Sequence, residues 1–213
     1  MSRGASSPPP DLARQAREHF LKQMEGVLQP LSDAVRARLV ELVATLAGGR
    51  DAQERRDAML DFERQRDDWR ERTASAWRKA LVPPTATRVR VEAAGLSLIG
   101  DEVVENRILS SRLAMAMTEK ATWELNDLRL RMEHLENGAE LSGQDVLRAE
   151  TLAQLMVEQW GACGLPRQSW AMVQDVIHQH MAERTIAAYR STNEFLVGRG
   201  VMPEIDLSAR VKR

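Results

Sequence analysis

Between Asp101 and Asn137 the chain contains neither proline nor glycine, and its apolar residues recur at helical intervals. Val104, Ile108, Met115, Leu125, Leu128, Met132 and Leu135 fall largely at the three-, four- and seven-residue steps that one face of a 3.6-residue helix requires. Val103, Leu113, Met117 and Ala121 widen that stripe. Asp101 suits an N-cap, and Glu102 and Glu105 put negative charge where a helix dipole is positive. Asn137-Gly138 is a good C-terminal stop. At about 1.5 Å per residue the run predicts one rod of roughly 55 Å. A helix that long needs partners of comparable length.

Two other stretches supply them. Asp51 to about Leu81 carries eight acidic and eight basic residues up to Ala80, with Met59, Phe62, Trp69, Thr73, Ala76 and Leu81 as a narrow apolar line interrupted by Arg66. Asp51–Arg55 and Asp68–Arg72 are spaced as i,i+4 pairs, and Asp61–Arg64, Glu63–Arg66 and Asp67–Arg70 as i,i+3 pairs. This reads as a solvated helix touching its neighbours along one edge, or as a partner-binding ridge. The other long stretch starts at Pro166 and carries Trp170, Val173, Ile177, Met181, Arg184, Ala188, Ser191 and Phe195 before Gly198 or Gly200.

Shorter helices complete the set. Leu12, Ala16, Phe20, Met24, Val27 and Leu28 predict one that Pro30 ends. Ser32 or Asp33 then caps a second through Ala47, with Val35, Leu39, Leu42, Val43 and Leu46 on one face. Leu152, Leu155, Met156 and Trp160 mark a third from about Leu147 to Ala162, closed by Gly164. Thr87, Val89 and Val91 alternate with Arg88, Arg90 and Glu92, but a lone strand has no partner, so residues 82–95 read as an extended connector and hinge. The expectation is an all-α fold of about six helices, three of them long, in a bundle or layered array without a sheet. A single domain over 11–206 would lie between tails at 1–10 and 207–213.

Thirty basic against thirty-one acidic residues argue against a dedicated nucleic-acid binder, whose affinity rests on excess Lys and Arg. Aromatics make up only 4%, so Leu, Val, Ala and ten Met residues must fill most of the core. One cysteine, Cys163, rules out an intramolecular disulfide or a Cys-cluster metal site. No apolar run approaches the roughly 18 residues of a membrane span, and MSRGASSPPP lacks a signal peptide's apolar centre. A soluble, cytoplasmic, bacterial-type protein is expected.

No catalytic, metal or cofactor constellation stands out. His178 and His180 are two apart on a helix and face different ways, and His19 and His134 have no ligand-like neighbours in sequence. Gly48-Gly49-Arg50 before a helix could cradle an anion, yet no Lys-Ser/Thr follows, so a plain αα turn is favoured. Cys163 lies among apolar residues and reads as a structural thiol, while Ser110-Ser111 and Ser142-Gly143 match no nucleophile elbow. Trp69, Trp123, Trp160 and Trp170 share helical faces with other apolar residues, which favours core anchors over a binding platform.

GLSLIGDEVVEN resembles the "LSLV-acid-acid…E" signature of an uncharacterised family of long proteobacterial proteins, a domain of unknown function whose members often carry the automatic label "thymidine phosphorylase". DAQERRDAMLDFERQRDDWRERTASAW resembles that family's charged helix, and ELNDLRLRMEHLE its Leu/Arg helix. The family's "Tyr…Asn…Leu…GVLP" close is matched by Tyr189, Asn193, Leu196, Gly200, Val201, Met202 and Pro203. The resemblance runs in order from about residue 12 to 206. It departs at Val146-Leu147-Arg148, where relatives carry Asn-Pro-Leu, and it corresponds to the N-terminal part of longer proteins.

The residues themselves favour a non-enzymatic helical interaction or regulatory module acting on a protein partner or on itself, with no nucleic acid, no membrane span and no cofactor; its specific role and any small-molecule ligand are left open. The label implies a nucleoside-metabolism enzyme instead, but a nucleoside phosphorylase needs a Gly-rich phosphate cradle beside a parallel sheet. A cyclic-dinucleotide accessory segment is the third alternative, with Arg88 and Arg90 as its only candidates.

Overall fold

The computed structural model describes residues 11–45, 49–82 and 101–205. Seven helices occur among them: α1 Leu12–Glu25, α2 Leu28–Ala44, α3 Arg50–Lys79, α4 Asp101–Glu119, α5 Thr122–Leu135, α6 Ala149–Ala162 and α7 Arg167–Val197. The all-α expectation holds, and no strand occurs among the described residues. Both expected tails, GLSLIG and the connector with its Arg88 and Arg90 lie outside those residues, apart from Val82.

The 31 residues of α7 make the mast, about 46 Å long. Trp170, Val173, Ile177, Met181, Thr185, Ala188, Thr192 and Leu196 are buried along it at steps of three and four, so one side is covered from end to end. Two kinked rods provide the cover. The α1–α2 rod runs antiparallel to the mast: Arg199 donates to Gln15 at 3.0 Å, and Arg38 sits 3.8 Å from Asp175. The α4–α5 rod runs parallel to it: Arg167 meets Asn106 near the start, and Arg190 meets Glu124 at 3.0 Å further on.

Across α2 lies α3, antiparallel to it. Arg36–Glu63 at 2.8 Å, Arg66–Asp33 at 3.6 Å and, at the foot of α1, Arg78–Glu25 at 2.6 Å are ion pairs between helices. Of the expected pairs within α3, Asp68–Arg72, Asp61–Arg64 and Asp67–Arg70 form. Glu63 and Arg66 turn instead to α2, and Arg55 donates to the Leu42 carbonyl. The helix α6 fits between α3 and α4. Trp77 Nε1 donates to the Leu152 carbonyl at 3.1 Å and Trp69 Nε1 to that of Met156 at 3.5 Å. Each of α2, α3, α6, α4 and α7 thus packs on the next, and the ring closes. At its centre Trp160 lies 5.6 Å from Phe62, 5.3 Å from Trp69 and 5.2 Å from Trp170, ring to ring.

Two helix ends differ from expectation for local reasons. The first helix breaks at Gly26-Val27 rather than at Pro30, which is the third residue of α2. A first-turn residue has no intrahelical bond for its N–H, so proline costs nothing there. The expected rod from Asp101 to Asn137 is two helices. Thr118 and Thr122 hydroxyls donate back to the carbonyls of Ala114 and Thr118, and Ala121 N–H bonds three residues back to Thr118. Threonines that bond one turn back bend a helix; here they end α4.

The aromatic assignment needs two corrections. Trp123 is 79% exposed and is no core anchor, whereas Trp77, not singled out by its spacing, is fully buried.

The histidines make stability depend on pH. His19 stacks on Phe195 at 4.8 Å, and burial, with help from Lys22 and Arg199, depresses its pKa below 6.5. Burial and Arg112 depress His178 likewise, against a smaller opposing effect of Asp175. The unfolded chain therefore takes up these protons first, and stability falls as pH drops through 6.5, levelling once the folded histidines are charged. Asp11 and Asp68, held low by Arg14 and Arg72, add their loss only near and below 3.8. Urea midpoints should be lower at pH 5 than at pH 7, and a His19→Gln/His178→Gln double variant should flatten that difference. An undiminished difference would assign it to other groups.

Candidate interaction surface

The polar residues that could do chemistry are placed for other work. Cys163 is buried beside Asp68, its sulfur 3.6 Å from the carboxylate; burial and that charge push its pKa up to about 11. It is a poor nucleophile at neutral pH. His19 Nε2 lies 2.9 Å from Ser191 Oγ, the spacing of a base and its nucleophile. Ser191 sits inside the C-terminal part of α7, however, where backbone N–H groups are spent on the helix and none is free to hold an oxyanion. Gly49, with φ of 106°, simply leads into α3. No group of three metal-ligating side chains occurs among the described residues.

Buried charge instead ties elements together. Every nitrogen of the Arg17 guanidinium is engaged, by Glu136 at 2.7 and 3.0 Å and by Asp145 at 3.0 and 2.6 Å. Burial opposes its charge, but these hydrogen bonds outweigh it and hold its pKa above the ordinary arginine value. Asp145 also accepts from Leu147 N–H at 2.9 Å, and Tyr189 donates to the Leu147 carbonyl at 2.8 Å. The loop between α5 and α6 is thereby fastened to α1 and α7. Arg131, only 5% exposed, donates to Asn193 at 2.7 Å, and Asn193 donates to the Glu124 carbonyl at 2.8 Å, joining α5 to α7. None of these residues was singled out for a site; an arginine within the Leu128/Met132 line was the available signal. Near the start of α7, a cleft of about 620 Å³ borders Trp160 and Trp170, but its Arg167 is already held by Glu105 and Asn106.

What remains open is the outer side of the α4–α5 rod. Leu113, Ala114 and Met117 are the side of α4 that is buried. Val104, Ile108 and Met115 lie on the opposite side, 46%, 46% and 70% exposed. The stripe read from the sequence joins two different faces. Met115 and Leu125 are ten residues apart, which at about 100° per residue leaves them about 80° out of phase. The apolar line of α5 thus points inward while that of α4 points out. A helix apolar on both sides is expected to be covered on both.

Just past the bend, Trp123 stands at the mouth of a cleft of about 280 Å³ between α5 and α7. Asp127 and Arg131 line it from α5, and Arg190, Glu194 and Val197 from α7. No described helix is long and apolar enough to cross a membrane.

No curated protein and no solved structure matches the chain. A family model, described as the N-terminal domain of a protein of unknown function (DUF1631), matches residues 8–200. That match spans every described helix, and it places the aromatic core, the Arg17 node and the open rod inside one family unit. The chain belongs to the DUF1631 family through its N-terminal domain.

Proposed function

We propose that this domain is a non-enzymatic interaction module that binds a protein through the outer face of the α4–α5 rod. The observation carrying the reading is the second apolar face of α4: Val104, Ile108 and Met115 form one line along the helix and remain 46%, 46% and 70% exposed. Leaving such a line in water is unfavourable, and docking an amphipathic helix along it regains the burial. Tryptophan is enriched at the energetic centres of protein interfaces, and Trp123, at the start of the next helix of the rod, is 79% exposed.

The family's automatic phosphorylase label draws no support from these residues. A phosphate cradle needs several free backbone N–H groups on a glycine-rich turn, and the described turns close helices instead.

Charge on the face should separate binding from folding. An Ile108→Glu/Met115→Glu variant should keep the unfolding midpoint of the parent, because both side chains already meet water, and should lose the partner or self-association that the parent displays by affinity capture and light scattering. A parent that stays monomeric at every concentration and captures nothing overturns the reading. So would release of thymine from thymidine and phosphate above a blank.

A further inference from the structure

We infer that the cleft beside Trp123 receives an arginine side chain of the bound protein. The inference rests on the interaction reading and gives its partner a chemistry. Three features of the cleft converge on a planar cation. The first is the indole of Trp123, a face open to solvent at the cleft's edge. The second is Asp127, one turn along α5 from Trp123, with its side chain 50% exposed. The third is Glu194, which faces the cleft from α7 and has no ion-pair partner among the described residues.

Each of the cleft's own cations has a carboxylate beside it, although the buried Nε of Arg131 has no acceptor among the described residues. Arg190 holds Glu124 at 3.0 Å. Arg131 donates to Asn193 at 2.7 Å and lies 3.6 Å from Asp127, so its charge at the cleft floor is largely offset. Three carboxylates against two guanidinium groups leave a surplus negative charge, and it sits on Glu194. An incoming anion would meet that carboxylate. A neutral apolar side chain would cover Trp123 but bury a carboxylate without a donor. A guanidinium can lie flat on the indole and donate from its edge to Glu194 and Asp127 together. Its aliphatic stem would cover Val197. A lysine ammonium could reach the carboxylates but lacks the plane that stacks.

The test uses the ¹⁵N-labelled full chain and follows its tryptophan indole N–H signals, with that of Trp123 assigned by its loss in Trp123→Phe. N-acetyl-arginine methylamide should shift the Trp123 signal saturably at millimolar concentration, and the isosteric but neutral N-acetyl-citrulline methylamide should not. Glu194→Gln and Asp127→Asn should each weaken the arginine response at least fivefold, and 0.5 M salt should weaken it too. A Trp123 signal blind to the arginine compound, or equally responsive to citrulline, overturns the inference. Equal or stronger binding of spermidine overturns it in favour of a small polyamine. If either happens while Ile108→Glu/Met115→Glu still abolishes partner capture, the interaction reading stands and only the arginine falls. If capture survives those two changes, it is the reading of the α4 face that fails.

Discussion

Replacing Trp160 by alanine should cost the fold about 3–5 kcal/mol, read as a fall in the urea midpoint at unchanged m. Trp160 is 2% exposed and touches three other aromatic rings, two from α3 (Phe62 and Trp69) and one from α7 (Trp170), so its removal opens the point where the ring of helices closes. Its indole N–H also donates to the Pro166 carbonyl at 3.1 Å, holding the tight turn from α6 into α7. A domain's total stability is about 5–15 kcal/mol, so the variant should approach or pass the threshold of folding. Trp160→Phe keeps most of the ring and should recover more than half of the loss. The matched comparison is Trp123→Ala, which should change stability by no more than about 0.5 kcal/mol, because that side chain is already in water. Equal losses for the two tryptophans would contradict the packing described above.

The contrast between those two residues marks how far periodicity reaches. Along α7 the apolar line at steps of three and four is the line that is buried, because α7 has neighbours on one side over its whole length. In α4 the same periodicity is present twice, once on each side, and nothing local says which side meets α6 and α7. The outer one, containing Val104, Ile108 and Met115, was the one that looked like core, so the residues of the candidate surface were visible in the sequence but with the wrong sense. Trp77 continues the Trp69–Thr73 step by four and could have been read as buried from spacing alone. The Arg36–Glu63 pair could not: both partners have helical neighbours of opposite charge nearby in sequence, and only the packing of α2 on α3 brings these two together.

Long-range placement is also what makes the α4–α5 rod a surface. Covering the buried side of the mast takes two rods, and the chain supplies an antiparallel one and a parallel one. The parallel rod contacts α6 and α7 along its inner side, while its outer side is left over after the ring has closed. An apolar residue there gains less for the fold than one on the inner side, since Val104, Ile108 and Met115 stay 46%, 46% and 70% exposed while Leu113 and Met117 are fully buried.

Arg17→Met is the second large effect, and it should act through charge rather than volume. The substitution keeps the apolar stem and deletes the guanidinium, leaving Glu136 and Asp145 side by side with the Asp145 side chain 4% exposed. Removing one partner of a buried ion pair typically costs about 3–5 kcal/mol; with Glu136 and Arg17 partly in contact with water, about 2–3 kcal/mol is expected here. Adding Glu136→Gln and Asp145→Asn to Arg17→Met should return part of that loss, because the uncompensated charges go with them. Arg17→Lys should recover less than half, since one ammonium cannot serve two carboxylates as the planar fork does. Hydrogen exchange supplies the spatial check: protection should fall first in residues 136–148, the loop that this one side chain fastens to α1. A triple variant no more stable than Arg17→Met would show that the node stabilises through packing, and the charge argument would be wrong.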